Sequence, residues 1–424
     1  MSLTRGLMPD DLLDRTPTIP SISGRGRLLF LLGLSVVINY IDRSNLSIAA
    51  PLIKDEMGIT AAQLGTLLSA FFWTYSLMHL VSGWLVDRFD VKWVFALGFL
   101  AWSGTTAITG ILHGFAALLA ARIVLGFGEA VSFPSYGKIV CTYFDEQSRG
   151  FANSVIIAGL ALGPAVGFLI GGSVVSQFGW RPFFIVVGVA GLFWLLPWIA
   201  WMPKRERAHT TPPSPLSGML AIARRPAAWG MWVSHFALAY PLYFLLTWLP
   251  YYLTRARGLS LNPMARLAAV VFLAYAVSSA IAGKLADLWI STGGSVTLVR
   301  KTLAVAGSVA VGVFLVAAVL APENLYAWML VLVGVSMGLT GTCLYSAAQT
   351  LAGPRMAGRW TGVQQCMGNL SGAVAPAATG FLLQRTGNFH WAFYLAALVS
   401  LLGVLSWLLM VGPLQALQWE DCPA

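Results

Sequence analysis

The chain has 424 residues, of which 58% are hydrophobic and only 10% charged, with a mean hydropathy of +0.75. An ordinary soluble domain carries about 25% charged residues, so this composition excludes one and points to a polytopic membrane protein. The formal charge of +10 does not indicate a nucleic-acid partner, because the basic residues are scattered through short connections with no Lys/Arg cluster interleaved with aromatics.

Apolar runs of about 20 residues or more are candidate membrane spans. About twelve follow in chain order, at 28–50, 63–86, 93–112, 116–140, 150–177, 182–202, 228–254, 264–290, 300–320, 325–352, 360–385 and 389–411. The expected fold is an all-α membrane protein with twelve transmembrane helices in two six-helix halves, 27–202 and 227–412. Residues 1–26 are polar, carry "GRGR" and read as a cytosolic tail without a cleavable signal peptide. The basic, Pro- and Ser-rich stretch 203–226 reads as a cytosolic central loop, and 413–424 as a second cytosolic tail. The Lys/Arg bias puts both termini in the cytosol. Lys54, Arg181, Arg255, Arg257, Arg266 and Arg385 fall on the outer side, and Arg255, Arg257 and Arg266 gather in one outer connection against the rule.

The first run contains "SVVINYIDRSNLSIAAP", which places Asp42 and Arg43 about 20 Å along a helix. One charge at that depth costs at least about 2.5–3.5 kcal/mol on insertion scales. Adjacent residues point about 100° apart, so the two are expected to face different partners. The fourth run, "AARIVLGFGEAVSFPSYGKIV", adds Arg122 and Glu129, whose spacing sets them on one face two turns apart. Two acids and two bases thus lie at membrane depth in the first half. Structural ion pairs are a poor explanation, since apolar packing joins helices at less cost. Low-dielectric surroundings favour the neutral form of a carboxylate, and a neighbouring Arg favours the charged one. An acid whose Arg can turn to a substrate carboxylate can therefore exchange a proton as substrate is handled. Arg stays charged and grips carboxylates at two points. Asp42 and Glu129 are the expected proton-coupling residues, with Arg43 and Arg122 pairing with them or with an anion; spacing does not say which Arg does which.

Neutral polar residues form a second set: Asn39 and Tyr40 beside the charges, Tyr75 in the second run, and Tyr240, Tyr243 and Thr247 in the seventh. The tenth run adds Tyr345, Ser346 and Gln349, and the eleventh Gln364, Gln365 and Asn369. Each could equally be an interhelical hydrogen bond. Together they give the second half hydroxyls and amides where the first half has charge. Gly159, Gly163, Gly167 and Gly171 recur every fourth residue and read as close helix packing. Asp87 and Arg88, with Lys92, mark a helix end and read as a conformational latch. The four cysteines and the scattered histidines show no metal-ligand spacing, so neither metal nor cofactor is expected. No nucleophile constellation suggests an enzyme.

The halves also echo each other. "GWLVDRFDVK" follows the second run and "GKLADLW" the eighth, while "GPAVGFLIGG" in the fifth has a counterpart in "GAVAPAATGF" in the eleventh. Such repeats place a substrate site near mid-membrane between the halves. "GWLVDRFDVK" resembles the signature loop of the major facilitator superfamily, with Asp90 where Gly is common. "NYIDRSNLSIAAP", "ARIVLGFGEAVSFPS", "FGWRPFFIVVG", "FLLTWLPYYL" and "GNLSGAVAP" resemble its anion:cation symporter family, which includes proton-coupled carriers of galactonate, glucarate, hexuronates and phthalate and is similar to sialin and the vesicular glutamate transporters. The resemblance implies Asp42 and Glu129 as proton carriers, Arg43 and Arg122 as their arginines, and contacts from Tyr40, Tyr75, Ser346 and Asn369.

The expectation is a monomeric bacterial inner-membrane symporter of a small organic anion and protons. Tyr243 and Gln365 join the candidate substrate contacts. The rivals are an antiporter or lysolipid or drug exporter of the same fold, since "GPAVGFLIGG" also resembles an antiporter motif, and a transporter-like sensor.

Overall fold

A computed structural model of the protein describes residues 22–144, 146–202 and 222–418. Its helices are α1 (Ile22–Met57), α2 (Ala61–Arg88), α3 (Val91–Thr109), α4 (Phe115–Glu129), α5 (Ser132–Tyr143), α6 (Glu146–Phe178), α7 (Trp180–Trp201), α8 (Pro226–Arg255), α9 (Leu261–Ser291), α10 (Val296–Leu320), α11 (Tyr326–Thr386) and α12 (His390–Leu409). They supply 12 segments long and apolar enough to cross a membrane. Helices and spans do not correspond one to one. α4 and α5 share the span Phe115–Val140, broken at Ala130–Val131, and α11 carries both Tyr326–Ala352 and Trp360–Thr386.

Local chemistry sets several ends. Thr60 and Gln63 form a capping box on α2, and Asp90 caps α3 by accepting from the Lys92 amide at 2.9 Å. Gly179 (φ 81°) and Gly387 (φ 70°) turn the chain at positions where a side chain would be strained. Two boundaries differ from the sequence reading. α1 begins at Ile22, inside the expected N-terminal tail, and the backbone stays helical through 353–359, where a connection is expected. Most of the expected central loop, with the far ends of both tails, lies outside the described residues.

α1 to α7 form one half and α8 to α12 the other. Within the first half, the glycines of α6 lie directly on α1. A side chain at Gly159 would meet Val36, and one at Gly163, Gly167 or Gly171 would collide with Tyr40, Ser44 or Ile48. The small residues let two backbones close up one turn at a time, and the same contact fixes the helix that carries Asp42 and Arg43. Behind it, Phe95, Phe99, Trp102, Tyr136, Trp194 and Trp198 form an aromatic core between α3, α5 and α7.

The halves meet along α2–α11, α6–α9 and α1–α8. Contacts between them gather at the end of the bundle that holds Met57. There a Cβ on Gly380 would lie 2.5 Å from the Ala61 carbonyl oxygen, and one on Gly65 2.6 Å from that of Pro376. Gln384 Oε1 accepts from the Ala62 amide at 3.1 Å, and Arg255 pairs with Asp55. Further in, the rings of Phe72 and Tyr243 stand 4.4 Å apart. Toward the opposite end, which holds Ile22, a Cβ on Gly83 of α2 or Gly362 of α11 would touch nothing within 4 Å.

Candidate functional site

The four intramembrane charges come together where α1, α2 and α4 meet. Gly126 permits this, because any side chain there would run into Thr74 and the Phe71 carbonyl of α2. Arg43 Nε donates to Glu129 Oε2 at 3.1 Å, with the two side chains 2% and 0% exposed. The Arg43 guanidinium also lies over the rings of Tyr75 (4.4 Å), Tyr40 (4.6 Å) and Phe71 (5.3 Å). Asp42 points elsewhere. Its Oδ1 accepts from Asn45 Nδ2 at 3.1 Å, and its nearest polar neighbour on α3 is Thr106. The adjacent acid and base thus have different partners, as the 100° step requires.

Arg122 is 7% exposed and lies 5.2 Å from the Phe71 ring, close to both carboxylates but in no ion pair among the described residues. Several buried atoms have no hydrogen-bond partner there: Asp42 Oδ2, Arg43 Nη2, Arg122 Nε, Glu129 Oε1 and both polar atoms of Asn39. Unengaged charge-bearing atoms are costly in a low-dielectric interior. Most of these atoms belong to the four intramembrane charges.

From the second half, Tyr243 OH donates to Asn369 Oδ1 at 2.5 Å, and Tyr345 OH lies 3.5 Å from Gln365 Oε1. Tyr243 meets the charge cluster through Phe72, and Tyr275 of α9 stands near Tyr40 and Tyr345. Tyr40, Gln365 and Tyr275 are half-buried and Tyr345 is 43% exposed. Five phenols from α1, α2, α8, α9 and α11 thus surround the region next to Arg43.

The structure brings Asp42, Glu129, Arg43, Arg122, Tyr40 and Tyr75 into one cluster and sets Tyr243, Asn369 and Gln365 across from it. No hydrogen bond joins Ser346 to them among the described residues. Its carbonyl instead accepts from Arg300 Nη1 at 3.0 Å and from Thr350, in the contact between α10 and α11. Arg88 is exposed at the end of α2, and the side chain of Asp87 lies outside the described residues. Lys92 Nζ donates to the carbonyls of Ile199 and Met202, both at 2.8 Å, and so closes the C-terminal end of α7. Phe71, Phe72 and Tyr275 were not legible as site residues, although Phe71 and Tyr75 share a face at helical spacing and stack at 4.9 Å. Cys343 and Cys366 are free and buried, and no cluster that could hold a metal occurs among the described residues.

The Major Facilitator Superfamily model matches residues 32–376. The D-galactonate transporter of Escherichia coli O6:H1 is 30% identical over 92% of this chain and 96% of its own length. A probable sulfoacetate transporter of Cupriavidus necator is 30% identical over 94% of this chain and 96% of its own. Among solved structures, a bacterial homologue of the human lysosomal transporter Spinster, in an inward-facing and occupied conformation, superposes with a TM-score of 0.80 at 19% identity, covering 92% of this chain and 97% of the other.

Proposed function

The chain belongs to the Major Facilitator Superfamily, and on that premise we propose that it carries a small organic anion, a sugar acid or other carboxylate, together with protons by alternating access. Its setting in this reading is a bacterial inner membrane with both termini cytoplasmic. The observation that carries the reading is the state of Arg43. It is buried, held to Glu129 through Nε, enclosed by three rings, and left with Nη2 unengaged.

A substrate carboxylate approaching from between the halves meets Nη2 first. As it draws the guanidinium, the Arg43–Glu129 bond weakens, and Glu129 becomes the acid that must take a proton or remain unpaired in a dry site. Asp42, with Oδ2 open and Asn45 and Thr106 beside it, is a second proton carrier. Arg122 stands near both acids and can take up either one as Arg43 leaves. The phenols and the amides of Asn369 and Gln365 then read the hydroxyls of the anion. In this division of labour one half senses charge and the other the rest of the ligand.

The test is uptake into proteoliposomes. Asp42→Asn and Glu129→Gln should abolish accumulation driven by a pH gradient while leaving anion binding measurable. Full accumulation in both variants would refute the coupling roles. Arg43→Ala and Arg122→Ala should lose anion binding, and unchanged affinity in both would make the arginines structural.

A further inference from the structure

Two of the three outer arginines that break the topology rule, Arg255 and Arg257, line a cavity. At the Met57 end, well away from Arg43, a space of about 660 Å³ is lined by Lys54, Arg255, Arg257, Gln384, Asn388 and His390, among others. That volume falls in the roughly 300–1,000 Å³ range of small-molecule sites. The cavity lies across the seam: Lys54 and Ala61 come from the first half, and the remaining lining from the second. It sits directly over the Gln384–Ala62 hydrogen bond that helps close that end.

Its cations are not equivalent. Arg255 is paired with Asp55. Arg257 has its donors engaged, Nε with Tyr252 OH at 2.7 Å, Nη1 with Glu323 at 3.3 Å and Nη2 with the Ala318 carbonyl at 2.9 Å. Most of its donors are thus committed, and it contributes chiefly fixed positive charge. Lys54 is half-buried and makes no ion pair among the described residues. The first turn of α2, which begins at the cavity wall with Ala61, adds its positive dipole end. Gln384 commits its Oε1 to Ala62, which leaves its NH2 group to donate.

We propose that this cavity is a second, peripheral binding site for a small hydroxylated carboxylate. Lys54 grips the carboxylate, and the amides of Gln384 and Asn388 meet hydroxyls. The site holds the anion over the closed seam before the halves part. Asp55 and Glu323 offset the two arginines, and the charge of Lys54 is left to draw an anion to the mouth. The inference rests on the anion-transport reading above.

The experiment follows acylation of Lys54 by an amine-reactive reagent, read by mass spectrometry on the full-length protein. D-Galactonate should slow the reaction roughly threefold or more as it saturates, and galactitol at the same ionic strength should not. The protection should persist in Arg43→Ala and in Arg122→Ala, which lack the central anion grip. Absence of protection in the wild type overturns the proposal, and so does protection that disappears in both variants, because it would then report the central site. As a second measurement, Lys54→Gln should raise the half-saturating concentration for uptake about three- to tenfold at low salt and flatten its salt dependence. An unchanged value also overturns the proposal. Failure of the transport reading shows separately, as no pH-driven uptake of sugar acids by the wild type.

Discussion

Replacing Gly380 by alanine should shift the conformational balance of the carrier. The added Cβ would lie 2.5 Å from the Ala61 carbonyl oxygen, 3.0 Å from Gly65 Cα and 3.2 Å from Gly65 N. All three neighbours are backbone atoms of α2, so no flexible side chain can move aside. Ordinary non-bonded contacts need about 3.5–4.0 Å between carbons, and α2 and α11 must therefore separate by several tenths of an ångström or more. Overpacking of this kind costs about 1–3 kcal/mol. The cost falls only on the state in which the Met57 end is closed, because the two glycines touch only there. A differential of that size changes the ratio of the two states by about 5- to 150-fold. Spin labels at the exposed positions His113 and Asn324, one on each half at the Met57 end, should report a longer distance distribution in Gly380→Ala than in the parent. Gly362→Ala is the control, since a Cβ there meets nothing. An unchanged distribution in Gly380→Ala would refute the idea that this glycine contact is what lets the end close.

Breaking the buried ion pair should destabilise the protein by about 3–5 kcal/mol, since it leaves one charge uncompensated. Arg43→Met combined with Glu129→Leu should therefore melt above either single variant in detergent while failing to transport. Gly163→Leu should separate α1 from α6 and shift Tyr40; thermal unfolding should report a loss of about 1–3 kcal/mol, together with weakened anion binding. Lys92→Met should lower the melting temperature through the two carbonyls it uncovers, each charged hydrogen bond being worth about 1.5–3 kcal/mol. Its anion affinity should stay at the parent value.

The spans were legible because the bilayer imposes length and apolarity on every one of them. Close packing along α6 was legible too, since glycines at every fourth residue have few other uses, but that α1 is the partner was not. The shared face of Arg122 and Glu129 follows from helical spacing, but spacing within one helix says nothing about which neighbour it faces. For that reason the Arg43–Glu129 pairing was left open, while the separation of Asp42 from Arg43 was not. Phe71 and Tyr275 escaped notice because an aromatic residue in an apolar run looks the same whether it meets lipid or a guanidinium. Lys92 was grouped with its neighbours Asp87 and Arg88 by position; its bonds to the end of α7, distant in sequence, carried no local signal. Ser346 was named on motif position, and the structure puts its backbone to use against Arg300.

The cluster of Asp42, Arg43, Arg122 and Glu129 has an electrical consequence. With all four ionised, their formal charges cancel. The empty carrier can then swing its halves past the site without moving net charge through the membrane, and the membrane potential, worth about 2.3 kcal/mol per charge per 100 mV, does no work on that step. Current can arise only on the loaded step. A monoanion travelling with one proton is silent, and each further proton makes the step draw on the voltage.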